Sequence, residues 1–202
     1  MTTIHLVRHA TNDTVGRSLA GRHPGTRLNE EGRRQSTLLA EALAATHPPI
    51  TRIFSSPLER TQETAQPLGR RLGLVIQPAP EILEIDFGSW TGQTLTELDR
   101  DPLWHRWNKF RSAVRIPQGE SMVEVQSRMI QFVEKTRTAC AGETIALISH
   151  GDPIKAVLLY FLGIPLDLLP RLEISPASWS TLEFHDDSVR VIAVNRVAYK
   201  AA

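Results

Sequence analysis

Four short polar segments of this 202-residue sequence carry residue types suited to handling a phosphoryl group. Arg8-His9 follows the apolar run Thr3-Ile-His-Leu-Val7, and Ser55-Ser-Pro57, with Arg60 one turn on, follows Ile50 to Phe54. Glu84-Ile-Asp86 lies beyond a β-like stretch at Leu74 to Gln77, and Ser149-His-Gly151 closes Thr144-Ile-Ala-Leu-Ile148. A neutral imidazole is a competent nucleophile toward phosphorus, and a phosphohistidine is labile enough for water to resolve. Each arginine fork matches two phosphate oxygens, so two arginines neutralise a dianion and the charge of its transition state. A second histidine adds a donor when protonated, and a carboxylic acid of raised pKa supplies the proton a leaving alkoxide needs.

Each residue also has a bland use. A histidine ending a buried strand is commonly structural, and His150-Gly151 fits a tight strand-to-helix turn. Arg60 could pair with Glu59 or Glu63 on a solvated helix face for about 0.5 kcal/mol. The chemical reading rests on the coincidence of two histidines, two arginines and a carboxylate just after predicted strands. In open α/β sheets that rim is where ligands bind.

The elements between these segments have to supply such a rim. Asn29 to Ala45 has a helical face of Leu38, Leu39, Ala42 and Leu43, with Asn29 as N-cap and Pro48-Pro49 as terminator. Pro57 to Leu72 reads as a helix with proline in its first turn. Ser121 to Ala141 is a long amphipathic helix through Val125, Met129, Phe132 and Val133, and a helix from about Pro153 to Leu162 follows the apolar strand. Ser178 to Phe184 and Val189 to Val197 form an antiparallel hairpin across an Asp-Asp-Ser turn. The alternation predicts a three-layer α/β/α sandwich with a mostly parallel central sheet and a C-terminal antiparallel hairpin. Residues 1–202 read as one domain, with 84–119 as a lid or insertion over one end of the sheet.

Composition narrows the partners. Lys and Arg number 23 against 22 Asp and Glu, which argues against binding nucleic acid by bulk charge. Trp104-His-Arg-Trp-Asn-Lys-Phe110 mixes aromatics with cations, but one short patch is weak support for base stacking. A lid whose Arg106, Lys109, Arg111 or Arg115 reads a second anionic group explains it better. Gly16 to His23 lacks the lysine and the Ser or Thr of a P-loop. Cys140 stands alone, so neither an internal disulfide nor a cysteine-type zinc site is expected. His5 and His9 share a strand face but lie roughly 13 Å apart, too far to hold one metal ion. The longest apolar stretch, Ala156 to Leu162, is far short of the ~20 residues of a membrane span, and no secretion signal is visible. The expected setting is the cytoplasm.

Leu6-Val-Arg-His9, Ser55-Ser-Pro-Leu-Glu-Arg-Thr-Gln-Glu-Thr-Ala65, Glu84-Ile-Asp-Phe-Gly-Ser-Trp-Thr-Gly92, Gly119-Glu-Ser121 and Ser149-His-Gly151 together resemble the signature set of the histidine phosphatase superfamily. The likeness is to its compact, phosphoglycerate mutase-like first branch and runs from residue 4 to about 160. It implies that His9 is the phosphorylated nucleophile, that Arg8 and Arg60 grip the phosphoryl oxygens and that His150 completes the pocket. Glu84 would be general acid, then base toward water. It implies no metal or organic cofactor and a small phosphorylated substrate. The sequence departs from the pattern at Ala10, where glycine is usual and crowding is expected, and at Thr11 to Gly16, which leaves Asn12 as the candidate phosphate contact. Gly21 and Gly151 are the further substrate-side candidates. The implied activity is hydrolysis of phosphate monoesters through phosphohistidine. Its alternatives are a phosphoglycerate mutase on the same site and a non-catalytic phospho-ligand binder, in each case as monomer or homodimer.

Overall fold

Apolar runs with no polar interruption make the central strands. In the computed structural model, which describes residues 1–198, β1 (Thr2–Arg8) is buried at all but its last residue. The later strand β4 (Thr144–Ser149) is buried throughout, as a strand covered on both faces must be. Between them come α1 (Glu30–Ala44), β2 (Arg52–Ser55), α2 (Glu59–Leu72) and β3 (Ile76–Pro78), then α3 (Leu95–Leu98), α4 (Pro102–Lys109) and α5 (Met122–Ala139). After β4 follow α6 (Gly151–Leu162), β5 (Ser178–Phe184) and β6 (Val189–Val197). The sheet order is β3-β2-β4-β1-β5-β6. The first four are mutually parallel, β5 runs antiparallel to β1, and β6 antiparallel to β5.

Alternation along β1 assigns its neighbours to two layers. Ile4 and Leu6 point into the larger core with Leu147, Met129, Val133 and Ile154, under α5 and α6. Val7 points the other way, into a core with Leu39, Leu43, Ile53 and Ile148, under α1 and α2. The predicted three-layer sandwich and C-terminal hairpin are therefore both present. Among the described residues no helix is long and apolar enough to cross a membrane.

Local chemistry fixes the helix ends with small departures from the sequence reading. Asn29 caps α1 by accepting from Gly32 N at 2.9 Å. Ser121 and Glu124 form a reciprocal capping box on α5. Pro57 lies outside α2, whose N-cap is Leu58, because Ser56 is still held by the strand pairing. The helix expected near Pro153 begins at Gly151, directly after His150. That places a helix N-terminus at the rim.

The segment 84–119 contains a 3-10 turn (Gly88–Trp90), α3 and α4. Its aromatic-cationic stretch is spent on packing. Trp104 and Trp107 stack at 5.1 Å, and Trp90 meets both edge-on. Trp90 and Trp107 are buried, so they are not presented to solvent for base stacking. A Cβ on Gly119 would stand 2.3 Å from Asp86 O, so only glycine lets the two arms of this segment touch.

His5, expected to be structural, lies buried in β1 with Nδ1 3.0 Å from Thr181 Oγ1. Burial, aided by the charge of Arg196, pushes its pKa down to about 4. The unfolded chain therefore binds a proton at His5 that the folded chain refuses, and stability falls as the pH drops from about 6.5 towards 4. The expected loss from this residue is about 3 kcal/mol at pH 4. Urea denaturation of wild type and His5→Gln across this range should show a shallower pH slope in the variant; equal slopes would refute the assignment.

Candidate active site

Strand pairing continues one residue past the strands and builds the site. Arg8 pairs with Ser149 and Ser55 with Ile148. Beyond them His9 N donates to Ser149 O at 3.0 Å and Ser56 N to Ile148 O at 2.9 Å. His9, Ser56 and His150 thus leave the sheet at one level, and the two imidazoles stand 5.3 Å apart.

His9 is 4 % exposed. Its Nδ1 lies 2.8 Å from the Ala10 carbonyl, which can only accept, so Nδ1 carries the proton and Nε2 keeps its lone pair. Burial first, then Arg60 and Arg8, holds the His9 pKa well below the ordinary histidine value. The same burial and the Arg60 charge depress His150. His150 Nε2 hydrogen-bonds Ser56 Oγ at 2.9 Å, which sets the ring with Nδ1 3.7 Å from Glu84 Oε2. Ser56 is itself held firmly: its carbonyl accepts from Ser55 Oγ, Thr61 Oγ1 and Gln62 Nε2.

Both arginines are anchored by one side of the fork. Arg60 donates through Nη2 to Gly21 O at 2.7 Å, and Arg8 through Nη1 to Ile174 O. Arg8 Nε, Arg60 Nη1 and His150 Nδ1 are buried with no hydrogen-bond partner. Buried donors left unpaired are costly, and the free guanidinium N–H groups of Arg8 and Arg60 suit an anion in the cleft they line. Gly151 makes room for it: a Cβ there would stand 3.3 Å from Arg8 Nε.

Glu84 comes from the far side. Its Oε1 accepts from Ile85 N at 3.0 Å, and Oε2 stands 4.0 Å from Arg60 Nη2. Burial raises its pKa against the opposing pull of Arg60, and the Asp152 charge adds to the rise. The backbone beneath it is clamped by Arg128, which donates to the carbonyls of Glu81, Leu83 and Glu84. Arg22 donates to the Glu84 carbonyl as well, and Glu120 binds both arginines.

The catalytic and substrate-side candidates read from the motifs meet here. Arg8, His9, Arg60, Glu84, Asn12, Gly21 and Gly151 line one open cleft with a cavity of about 200 Å³, and His150 lies beneath it. Asn12 Oδ1 accepts from Thr14 N, Thr14 Oγ1 and Val15 N, which leaves its Nδ2 donor for the cavity. Gly21 has φ +51°, a conformation that suits glycine. Ala10 is accommodated without crowding: its N–H donates to Thr64 Oγ1 at 2.9 Å and its methyl joins the core with Val7 and Leu28.

The proposed lid cations do not reach the cleft. Arg111 is buried against Trp107 and bonded to Asp152, and Arg115 is bonded to Glu124 and the Gly119 carbonyl. Arg106 and Lys109 are exposed and do not line it. The cation that does is Lys155, which the sequence reading missed, as it missed Ser56, Asp152 and the Arg22–Glu120–Arg128 clamp. Glu120 and Ser56 sit inside quoted motifs and could have been found there; Lys155 and Arg128 carry no such signal. Among the described residues no group of three or more His, Cys, Asp or Glu side chains is placed to hold a metal ion.

A neutral imidazole, two anchored guanidiniums and a carboxyl of raised pKa at the carboxyl end of a mixed α/β sheet define a phosphoryl-handling site. Residues 4–197 match the histidine phosphatase superfamily (branch 1), and the chain belongs to that family. It is 31% identical over 96% of its length to phosphoserine phosphatase 1 of Hydrogenobacter thermophilus, covering 92% of that protein. It is 31% identical to a probable phosphoglycerate mutase of Yersinia pestis, over 92% of this chain and 86% of the other. A mycobacterial glucosyl-3-phosphoglycerate phosphatase, solved as a complex with VO3, superimposes with a TM-score of 0.83 at 31% identity, over 96% of this chain and 98% of that one.

Orthovanadate binding tests the anion pocket. Arg60→Met removes a buried guanidinium and should weaken binding about 30-fold or more, the worth of one charge-assisted contact. Calorimetry showing equal affinity in both proteins would exclude Arg60 from the pocket.

Proposed function

We propose that the protein hydrolyses small phosphate monoesters through a phosphorylated His9, without metal or organic cofactor. The observation that carries this reading is the contact of His9 Nδ1 with the Ala10 carbonyl, 2.8 Å away. With Nδ1 donating to Ala10 O, Nε2 holds a lone pair beside the unpaired donors of Arg8 and Arg60. In the first step Nε2 attacks phosphorus and the ester P–O bond breaks. The departing alkoxide takes the proton of Glu84, and Arg8, Arg60 and His150 hold the phosphoryl oxygens. In the second, water attacks the phosphohistidine and gives a proton to the Glu84 carboxylate, the N–P bond breaks, and inorganic phosphate leaves with His9 restored. Asn12 Nδ2 is assigned to a phosphoryl oxygen, and Gly21 and Gly151 to keeping backbone clear of the substrate. The reading takes residues 1–202 as one catalytic unit with 84–119 supplying Glu84. It is set in the cytoplasm, as monomer or homodimer.

Turnover of p-nitrophenyl phosphate in excess EDTA is expected in wild type, with a loss of at least about 1,000-fold in His9→Ala. Activity abolished by EDTA would overturn the metal-free mechanism. Isomerisation of 3-phosphoglycerate primed with bisphosphoglycerate, exceeding hydrolysis, would assign a mutase, and phosphate binding with no turnover would assign a binder.

The pH profile follows from the two shifted groups. His9 must be neutral, and its lowered pKa moves the acid limb below the ordinary histidine value. Glu84 must be protonated, and its raised pKa moves the alkaline limb above the ordinary carboxyl value. Activity should therefore peak at acidic to neutral pH and decline as the pH rises through the Glu84 pKa. Glu84→Gln should lose about 100-fold or more on alkyl phosphates, less on p-nitrophenyl phosphate, and its alkaline limb. An unchanged alkaline limb in Glu84→Gln would reassign the acid.

A further inference from the structure

Beyond the phosphoryl centre the cavity holds one more cation. Lys155 lies on the second turn of α6 and lines the same cleft as His9 and Glu84. Helical side chains lean toward the N-terminus of their helix, so its stem runs back over the first turn toward the site. The side chain is 14 % exposed, and Nζ stands 3.9 Å from Asp152 Oδ1, beyond hydrogen-bond reach.

Whether that charge is free depends on Asp152. Its other oxygen accepts from Arg111 Nη1 at 2.9 Å. Arg111 is buried, with its guanidinium carbon 3.4 Å from the Trp107 ring centroid and Nη2 donating to Asn108. A buried guanidinium needs a counter-charge far more than an ammonium that reaches an open cleft. Asp152 is thus the counter-ion of Arg111, and the trio keeps a net charge of about +1 at Lys155. Besides Asp152 the lining carries one carboxyl, Glu84, which stands against Arg60 and His150; its uncharged part includes Leu19, Phe87 and Leu95 together with Thr14 and Ser18. At about 200 Å³ the cavity also falls below the roughly 300–1,000 Å³ of pockets for drug-sized ligands.

We propose that Lys155 is the specificity-determining residue for the leaving group and selects small phosphate monoesters that carry a carboxylate. This rests on the phosphatase reading of the same site. The ammonium offers three rotatable donors on a flexible stem, which suits a carboxylate held at the mouth of the phosphoryl pocket.

The test compares kcat/KM within two matched pairs that differ by the carboxylate: O-phosphoserine against O-phosphoethanolamine, and 3-phosphoglycerate against glycerol 3-phosphate. Wild type should prefer the carboxylated member of each by about ten-fold or more, the worth of a charge-assisted hydrogen bond. Lys155→Met should bring both ratios toward unity, and Lys155→Arg should restore much of the preference. Ratios near unity in an active wild type, or wild-type ratios in Lys155→Met, would overturn the assignment. Should Lys155→Met fail to fold, Lys155→Gln gives the same reading. A wild type inactive on all four esters and on p-nitrophenyl phosphate would overturn the phosphatase reading along with it.

Discussion

Parallel pairing of β1 with β4 is the constraint on which the rest of the molecule depends. It sets Arg8 against Ser149 and carries on to His9, so residues 8–9 and 149–150, far apart in sequence, emerge side by side. β2 joins the other edge of β4 and brings Ser56, and through α2 Arg60, to the same level. A slip of one residue in β1 would turn Ile4 and Leu6 out of the larger core and exchange the directions of Arg8 and His9. Burial of the apolar residues therefore locks the register of the polar ones. Chemistry at the rim is a by-product of packing in the middle.

The rim concentrates positive charge in a place with little water. Burial makes every electrostatic term there stronger, so it cuts both ways. It keeps His9 and His150 neutral beside two guanidiniums and keeps Glu84 able to hold a proton. It also makes unpaired donors expensive, and the fold offsets this by tying one part of each arginine fork to a backbone carbonyl, Gly21 for Arg60 and Ile174 for Arg8. What stays unpaired points to an anion.

Glu84 depends on a different device. No strand carries it, so its place is set by charge-assisted hydrogen bonds to its main chain, with Arg128 and Arg22 gripping carbonyls from Glu81 to Glu84 and Glu120 ion-paired to both. Gly119 lets the chain carrying Glu120 approach Asp86 at backbone distance. The motif Gly119-Glu-Ser121 thereby holds Glu84 in place from one side and caps α5 from the other.

The long strands, the long helices and the rim residues Arg8, His9, Arg60 and His150 could be read from short-range signals, whereas Glu84, which no strand carries, was marked by its motif alone. Uninterrupted apolar runs mark strands covered on both faces, 3.6-residue periodicity marks α1 and α5, and capping residues such as Asn29 and Ser121 mark their starts. Polar residues placed directly after such strands then fall on one edge by topology alone. Signals that depend on contact across the chain could not be read. The cations of 106–115 looked like substrate readers, yet Arg111 turned inward because Trp107 and Asp152 wait there. Lys155 carries no signal in the sequence, and the start of α6 at Gly151 sets it over the cleft. A side chain's type and local period are fixed by the chain that carries it, whereas the direction of a charge is decided by which opposite charge lies nearest in space, and that only the folded structure decides.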